Sequence, residues 1–433
     1  MLSLKLKSYD TPHHQSISLM KTIKTAQPSL DNQTSTMPQS GRLRQVLMLA
    51  ISLCMLQIGF GIITPIFPYY IAALGVGATE LGVLAASFAL SRIAFAGPLG
   101  GLSDSRGRKP VMLAALLGFA SANVMYAFAP NIWVMILARA IEGAVSAGFY
   151  PAANAYMSDV TIPTNRCTGM GYLSMGNMVG FIIGPTAGGI MAQFLGIRLP
   201  FLVAAVSTIG TLVALYVLVT EPKISENQFH ETNPQVNLRE VFGRHKHSYF
   251  ALAVALFGNM FAIRILEVAF LIDALTRFGV IPIQISLFFG IIGIITLLGN
   301  LGFGHLSDRI GRKWLIVFGC VISSCAMFVF MLSSTVTGFY LGGAVLGIGL
   351  SMRGPTIQAL IGDLTDDEAY GKVMGAYGAV SNSAYVVGPI LGGRLYDTTG
   401  NCVSSLALAG TISLVGAITT SLELSDSVPD DAD

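Results

Sequence analysis

The chain alternates long apolar runs with short polar breaks. Twelve runs lie at approximately 45–70, 79–102, 109–129, 132–157, 168–194, 199–220, 249–275, 283–304, 313–333, 336–361, 372–396 and 402–424. A helix crosses a bilayer with about 20 apolar residues, and every run reaches that length. Lipid offers backbone polar groups no partner, so only helices or closed barrels span it, and runs this continuous exclude strands. Charged residues make up only 11% of the chain, against about 25% in soluble domains. Too little polar surface exists to face water, and the 48 glycines suit close helix packing in a membrane.

The longest polar stretch after the first run separates the sixth and seventh runs. The expected organisation is a flexible cytoplasmic tail at 1–44, a six-helix bundle at 45–222 and a cytoplasmic linker at 223–247. A second six-helix bundle follows at 248–424, with a short cytoplasmic tail at 425–433. With both termini inside, 18 of the 25 Lys and Arg residues fall on the cytoplasmic side. Arg198, Arg277 and Arg394 fall on the other side, and Arg92, Arg139, Arg264 and Arg353 lie within the runs. The positive-inside rule fixes this orientation.

A shift of 204 residues superimposes the sequence on itself. Gly100, Leu102, Ser103, Asp104, Gly107, Arg108 and Lys109 fall on Gly304, Leu306, Ser307, Asp308, Gly311, Arg312 and Lys313. Further on, Pro151, Asp159 and Gly171 fall on Pro355, Asp363 and Gly375. The set Gly184, Pro185, Gly188 and Gly189 falls on Gly388, Pro389, Gly392 and Gly393. No gap is needed. Two parallel halves related by an axis along the membrane normal are a transporter plan, with the substrate site between them near the midplane.

The duplicated loop, Gly100 to Lys109, resembles motif A of the major facilitator superfamily. The resemblance extends over essentially everything after residue 45. It implies an all-α membrane protein with twelve transmembrane helices in two pseudo-symmetric six-helix bundles, the major facilitator fold. It also implies that Asp104, Arg108 and Asp159 cluster to lock the cytoplasmic gate, mirrored by Asp308, Arg312 and Asp363. The run Arg139-Ala140-Ile141-Glu142-Gly143 is similar to motif B. In the fifth segment, Gly171, Gly180, Gly184, Pro185, Gly188 and Gly189 resemble antiporter motif C, and the element from Gly59 to Pro68 resembles one of the twelve-helix drug:proton antiporters. Physically, small residues let backbones approach and proline bends a helix.

Ionisable residues inside a membrane are costly, about 2.5–3.5 kcal/mol each at a helix centre, and mark functional positions. Six lie deep in the runs: Arg92, Arg139, Glu142, Arg264, Glu267 and Arg353. Arg139 with Glu142, and Arg264 with Glu267, are spaced i to i+3 and share a helix face. Each pair either neutralises itself for structural reasons or serves proton coupling. In the second reading Glu267 is the main proton carrier and Glu142 the second, because burial favours the neutral form of a carboxylate. Further cavity candidates are Arg353, Gln57, Asn177, Asn382, Tyr385, Asn259 and Tyr156, and for the last five an interhelical hydrogen bond is the alternative role. The first segment carries no acidic residue, and the excess of interior Arg over Glu favours neutral, anionic or zwitterionic cargo.

The expected activity is export of a small molecule across the cell membrane by proton antiport, with import of a sugar, organic acid or other metabolite as the alternative. A sensor built on a transporter body and an intramembrane enzyme rank behind these; no H-E-x-x-H or G-x-S-x-G is present. Cargo, protons and the bilayer are the expected partners, the protein working as a monomer driven by the proton gradient without cofactor. A net charge of +2 leaves no footprint for nucleic acid. Five scattered cysteines suggest neither a disulfide framework nor a zinc site, and no metal is expected.

Overall fold

The computed structural model describes residues 39–161, 166–221 and 237–424, without the side chains of 39–42, 166–167, 305, 308–309 and 367–368. Most of the expected tails and linker lie outside the described residues. Within them every regular element is helical. The elements are α1 (Gln39–Ile63), α2 (Phe67–Leu74), α3 (Ala78–Arg106), α4 (Arg108–Ala127), α5 (Ile132–Val160), α6 (Arg166–Leu195), α7 (Leu199–Leu218) and α8 (Leu238–Arg244). There follow α9 (Lys246–Ile265), a π turn (Leu266–Phe270), α10 (Leu271–Phe278), α11 (Pro282–Ile310), α12 (Arg312–Leu332), α13 (Val336–Leu364), α14 (Asp367–Thr399) and α15 (Val403–Glu423).

Among the described residues, eleven stretches are long and apolar enough to cross a membrane. The twelfth, α14, is 33 residues long but more polar, carrying Lys372, Asn382 and Arg394. Large apolar side chains face outward, among them Leu332 (84% exposed) and Trp133 (73%). Lipid, not water, is the solvent that such a surface requires.

The duplication is visible in the helix ends. Helices α3 and α5 coincide with α11 and α13 at both ends when shifted by 204 residues. Among the described residues, the six glycines with positive φ form three pairs at the same shift: Gly75 and Gly279, Gly107 and Gly311, Gly196 and Gly400. Each ends or joins helices where a left-handed backbone is needed.

The first segment is interrupted where its proline led one to expect a bend, and the seventh departs from the uninterrupted helix expected of it. The first is broken at Thr64–Ile66. Pro65 has no N–H and its ring clashes with the carbonyl four residues back. The chain bridges the gap with tight bonds from Thr64 N–H to Gly61 O (3.3 Å) and from Ile66 N–H to Ile63 O (3.0 Å). The seventh carries its π turn at the corresponding place, since residues 64–66 shifted by 204 become 268–270. Each half thus has one irregular helix facing the centre.

Buried apolar clusters form within each half. One in the first half joins Leu53, Phe119, Phe149 and Tyr156, and one in the second joins Phe270, Phe288, Phe330 and Phe339. The halves meet along two seams, α3 against α14 and α6 against α11. All four seam helices are packed at the face away from the basic loops, where a Cβ at Gly189 would lie 2.5 Å from the Pro282 carbonyl oxygen. Toward the Arg106–Lys109 and Arg312–Lys313 loops they part. Residues 93–98 of α3 are exposed on every face, and a Cβ placed at Gly97, Gly100, Gly171, Gly302, Gly375 or Gly378 would meet no neighbour within 4 Å. The hollow between the halves opens to the basic face and is closed at the other. At the closed face Tyr69 donates to the Val280 carbonyl (2.5 Å), and Asp273 pairs with Arg277 (2.9 Å). The Cys402 thiol donates to Asp273 at 3.2 Å.

Candidate transport cavity

Beneath the closed face a cavity of about 60 Å³ lies between the halves, room for roughly two waters. Its walls come from α1, α2, α3, α5 and α6 of the first half and from α9, the π turn and α11 of the second. Arg139, Arg264 and Glu267 bring charge to it; Phe60, Phe67, Phe181 and Phe289 bring aromatic surface. The helix break at Pro65 and the π turn both border the cavity, and the π turn carries Glu267. π turns recur at functional sites because they re-aim one side chain within a helix.

The two ion pairs occupy different settings. Arg139 Nη1 bonds Glu142 Oε2 at 2.7 Å, and the Tyr126 hydroxyl donates to the same oxygen at 2.9 Å. Glu142 is 0% exposed and does not line the cavity, so it anchors Arg139 from behind. The Arg139 guanidinium lies over the rings of Phe67 (4.7 Å), Phe60 (5.1 Å) and Phe88 (5.6 Å), an attraction between a cation and ring faces. Arg264 pairs with Glu267 and donates to the Tyr385 hydroxyl (3.0 Å), its guanidinium 3.9 Å from that ring's centre. The Glu267 side chain retains 17% exposure, and it lines the same cavity as Arg139 of the opposite half and Arg264 of its own.

The other candidates are distributed around this centre. Arg92 lies over the Tyr150 ring (5.9 Å), and the Tyr150 hydroxyl donates to Gln57 (2.6 Å). Arg353 is fully buried within the second half, bonded to Asn259 and near Cys320 Sγ (3.8 Å), with no carboxylate partner among the described residues. The structure places neither Arg353 nor Asn259 on the cavity wall. Tyr156 is likewise buried in a helix cluster, its hydroxyl on the Thr220 carbonyl (2.6 Å). Asn177 and Asn382 are half-buried on the seam helices α6 and α14. Sequence reasoning missed Tyr126 and Tyr150, since a tyrosine carries no spacing signature.

At the basic face Arg108 pairs with Asp104 and approaches Asp159 at 3.7 Å, while Arg312 pairs with Asp363. The side chain of Asp308 lies outside the described residues. Glu221 adds a partner not read from the sequence: its carboxylate accepts from the N–H groups of Arg108 (2.7 Å) and Lys109 (2.9 Å), capping α4. In α6, Cβ atoms at Gly180, Gly184 and Gly188 would lie 2.6, 2.8 and 2.5 Å from backbone carbonyls of α1. These glycines set the distance between α1 and α6.

The comparisons with known proteins agree with this architecture. The chain is 27% identical over 363 residues to multidrug resistance protein 2 of Bacillus subtilis, covering 83% of this chain and 90% of that one. It is 29% identical over 355 residues to the class H tetracycline resistance protein of Pasteurella multocida, covering 78% and 86%. In three dimensions it resembles the inward-facing, unoccupied crystal structure of a bacterial homolog to the human lysosomal transporter Spinster. That match has a TM-score of 0.73 and 15% identity, covering 89% of this chain and 96% of that one. The profile of the Major Facilitator Superfamily matches residues 49–270 and 252–432. The chain therefore belongs to the Major Facilitator Superfamily, and it is a multi-pass membrane transporter of small molecules, not an enzyme.

Proposed function

We propose that this transporter exports a neutral or zwitterionic small molecule by proton antiport, with Glu267 as the proton carrier. One observation carries the reading: a half-buried carboxylate, on a π turn, lines the central cavity together with two arginines from opposite halves. When ionised, Glu267 holds Arg264 and offers an acceptor to a cargo donor group. A proton arriving from the acidic side cancels that charge and turns one acceptor oxygen into an O–H donor, which weakens the hold on Arg264 and leaves it to Tyr385, its other partner. Proton and cargo thereby compete for one carboxylate, which is the requirement for exchange. A purely anionic cargo would instead bind with the proton, because protonation frees the arginine. Neutral or zwitterionic cargo with both donors and acceptors fits the exchange, and the four aromatic rings supply its apolar contact. The relatives named for multidrug and tetracycline resistance support export. In this reading the protein works as a monomer in the cell membrane, with both termini and the basic loops on the cytoplasmic side, and needs no cofactor.

The test uses everted vesicles or proteoliposomes with a panel of neutral, zwitterionic, anionic and cationic fluorescent probes. An acidic lumen should drive accumulation of neutral or zwitterionic probes. Glu267→Gln should abolish proton-driven accumulation while leaving counterflow of the same probe and the unfolding midpoint intact. Accumulation with the gradient reversed would establish import instead. Normal gradient-driven transport by Glu267→Gln would remove this carboxylate from the mechanism.

A further inference from the structure

Helices α3 and α14 run antiparallel across one seam, so the amino end of α3 meets the carboxyl end of α14 at the closed face. There Asp397 of the second half accepts from the N–H groups of Ala78 (3.0 Å) and Thr79 (2.8 Å), and from the Thr79 hydroxyl. The first N–H groups of a helix have no acceptor within it and carry the positive end of its dipole. A carboxylate from one half therefore caps a helix of the other. The preceding N–H, of Gly77, is taken within α3 by Glu80 at 3.0 Å. Close backbone approach accompanies the cap: a Cβ at Gly82 would overlap the Pro389 carbonyl, and one at Gly393 the Ala78 carbonyl.

The other end of the same helix pair is apart. The exposed stretch 93–98 of α3 and the unpacked Gly371, Gly375 and Gly378 of α14 lie there. Asp104 near that end of α3 is 59% exposed and bonds Arg108 of its own half. The second seam supplies an internal comparison. At the 204-residue shift Asp397 falls on Gln193 and Glu80 on Gln284. Gln284 caps its own helix through the Ile281 N–H (3.0 Å), and the position opposite carries no charge. The anionic cap belongs to one seam only.

We infer that Asp397 is a positioning residue of the transport cycle: it holds the face away from the basic loops closed, and its release from α3 accompanies opening of that face. The capped groups sit at a water-accessible rim, with Asp397 and Thr79 bonded in an exposed setting. Water replaces the partner when they part, so the cap biases the equilibrium without blocking it. The inference rests on the transporter fold and on neither antiport nor Glu267.

Hydrogen-exchange mass spectrometry of the full chain in lipid nanodiscs, without cargo, tests it. Asp397→Asn keeps one acceptor oxygen and loses the charge, which should shift the ratio of the two states by about two- to fivefold. Exchange should rise in peptides covering 78–86 and 388–397. It should fall in peptides covering 93–101 and 371–380, as those stretches pair when the basic face closes. Asp397→Glu should restore both patterns. A rise at 78–86 and 388–397 without the reciprocal fall would reduce Asp397 to a local cap and overturn the inference. Unchanged exchange at both ends would overturn it too.

Discussion

Replacing Glu142 by Gln separates the role of the enclosed pair from that of the cavity pair. Glu142 is 0% exposed and holds Arg139 at 2.7 Å, with Tyr126 at 2.9 Å on the same oxygen. The amide keeps an acceptor for both donors but loses the charge, leaving Arg139, 7% exposed, as a buried cation. Breaking a buried pair from one side costs about 3–5 kcal/mol. Because the amide still accepts from both donors, and the Arg139 donor keeps its charge, the expected loss is somewhat smaller, about 2–4 kcal/mol. Removing the whole polar group is expected to be cheaper. The triple change Tyr126→Phe, Arg139→Met and Glu142→Leu leaves no orphaned donor and no unpaired charge. Reversible unfolding in mixed detergent micelles measures both variants. The reasoning fails if Glu142→Gln lies within about 0.5 kcal/mol of the unaltered protein, the scatter of a neutral surface change. It fails equally if the triple variant is less stable than the single one.

Two further substitutions probe the packing and the cavity. Gly184→Ala should cost about 1–3 kcal/mol, because its Cβ would lie 2.8 Å from the Ile58 oxygen and 2.9 Å from the Gly61 Cα, backbone atoms that cannot swing aside. Gly171→Ala, with nothing within 4 Å, should leave the unfolding midpoint unchanged or raised. Equal losses at both positions would contradict the packing assigned to Gly184. Tyr385→Phe removes the hydroxyl that Arg264 reaches at 3.0 Å but keeps the ring at 3.9 Å, so probe affinity should fall less than in Tyr385→Leu. Identical affinities in the two variants would show that the ring face contributes nothing.

The scaffold was legible in the sequence because lipid enforces it. Spans of about 20 apolar residues leave few alternatives, and the expected run 132–157 became the helix Ile132–Val160. The break at Pro65 had a visible cause. The π turn at Leu266–Phe270 had none, since no glycine or proline marks it. The i to i+3 pairs were legible as pairs, but periodicity says nothing of a helix's rotation toward a partner half. Whether Glu142 or Glu267 met the cavity depended on that rotation. Tyr126 reaches Glu142 from another helix, and Asp397 reaches α3 from 319 positions away. Such contacts are set by packing, which the chain order does not encode locally.

What repeats and what does not divides scaffold from chemistry. The positive-φ glycines, the loop glycines and the Gly-Pro pairs recur at the 204-residue shift, because both halves must make the same turns and the same close approaches. The interior charges do not recur. Shifted by 204, Glu267 falls on Ile63, Arg264 on Phe60, Arg139 on Gly343, Glu142 on Leu346, Arg353 on Phe149 and Arg92 on Thr296. A symmetric charge set would give two equivalent proton sites with no reason to favour one order of events. Placing one accessible carboxylate in the second half and an anchored arginine in the first makes the halves unequal partners across one cavity. In the proposed antiport, their relative motion would change the field at Glu267, and a proton there would change which relative position is preferred. The same asymmetry reappears at the closed face, where Asp397 has Gln193 for its counterpart.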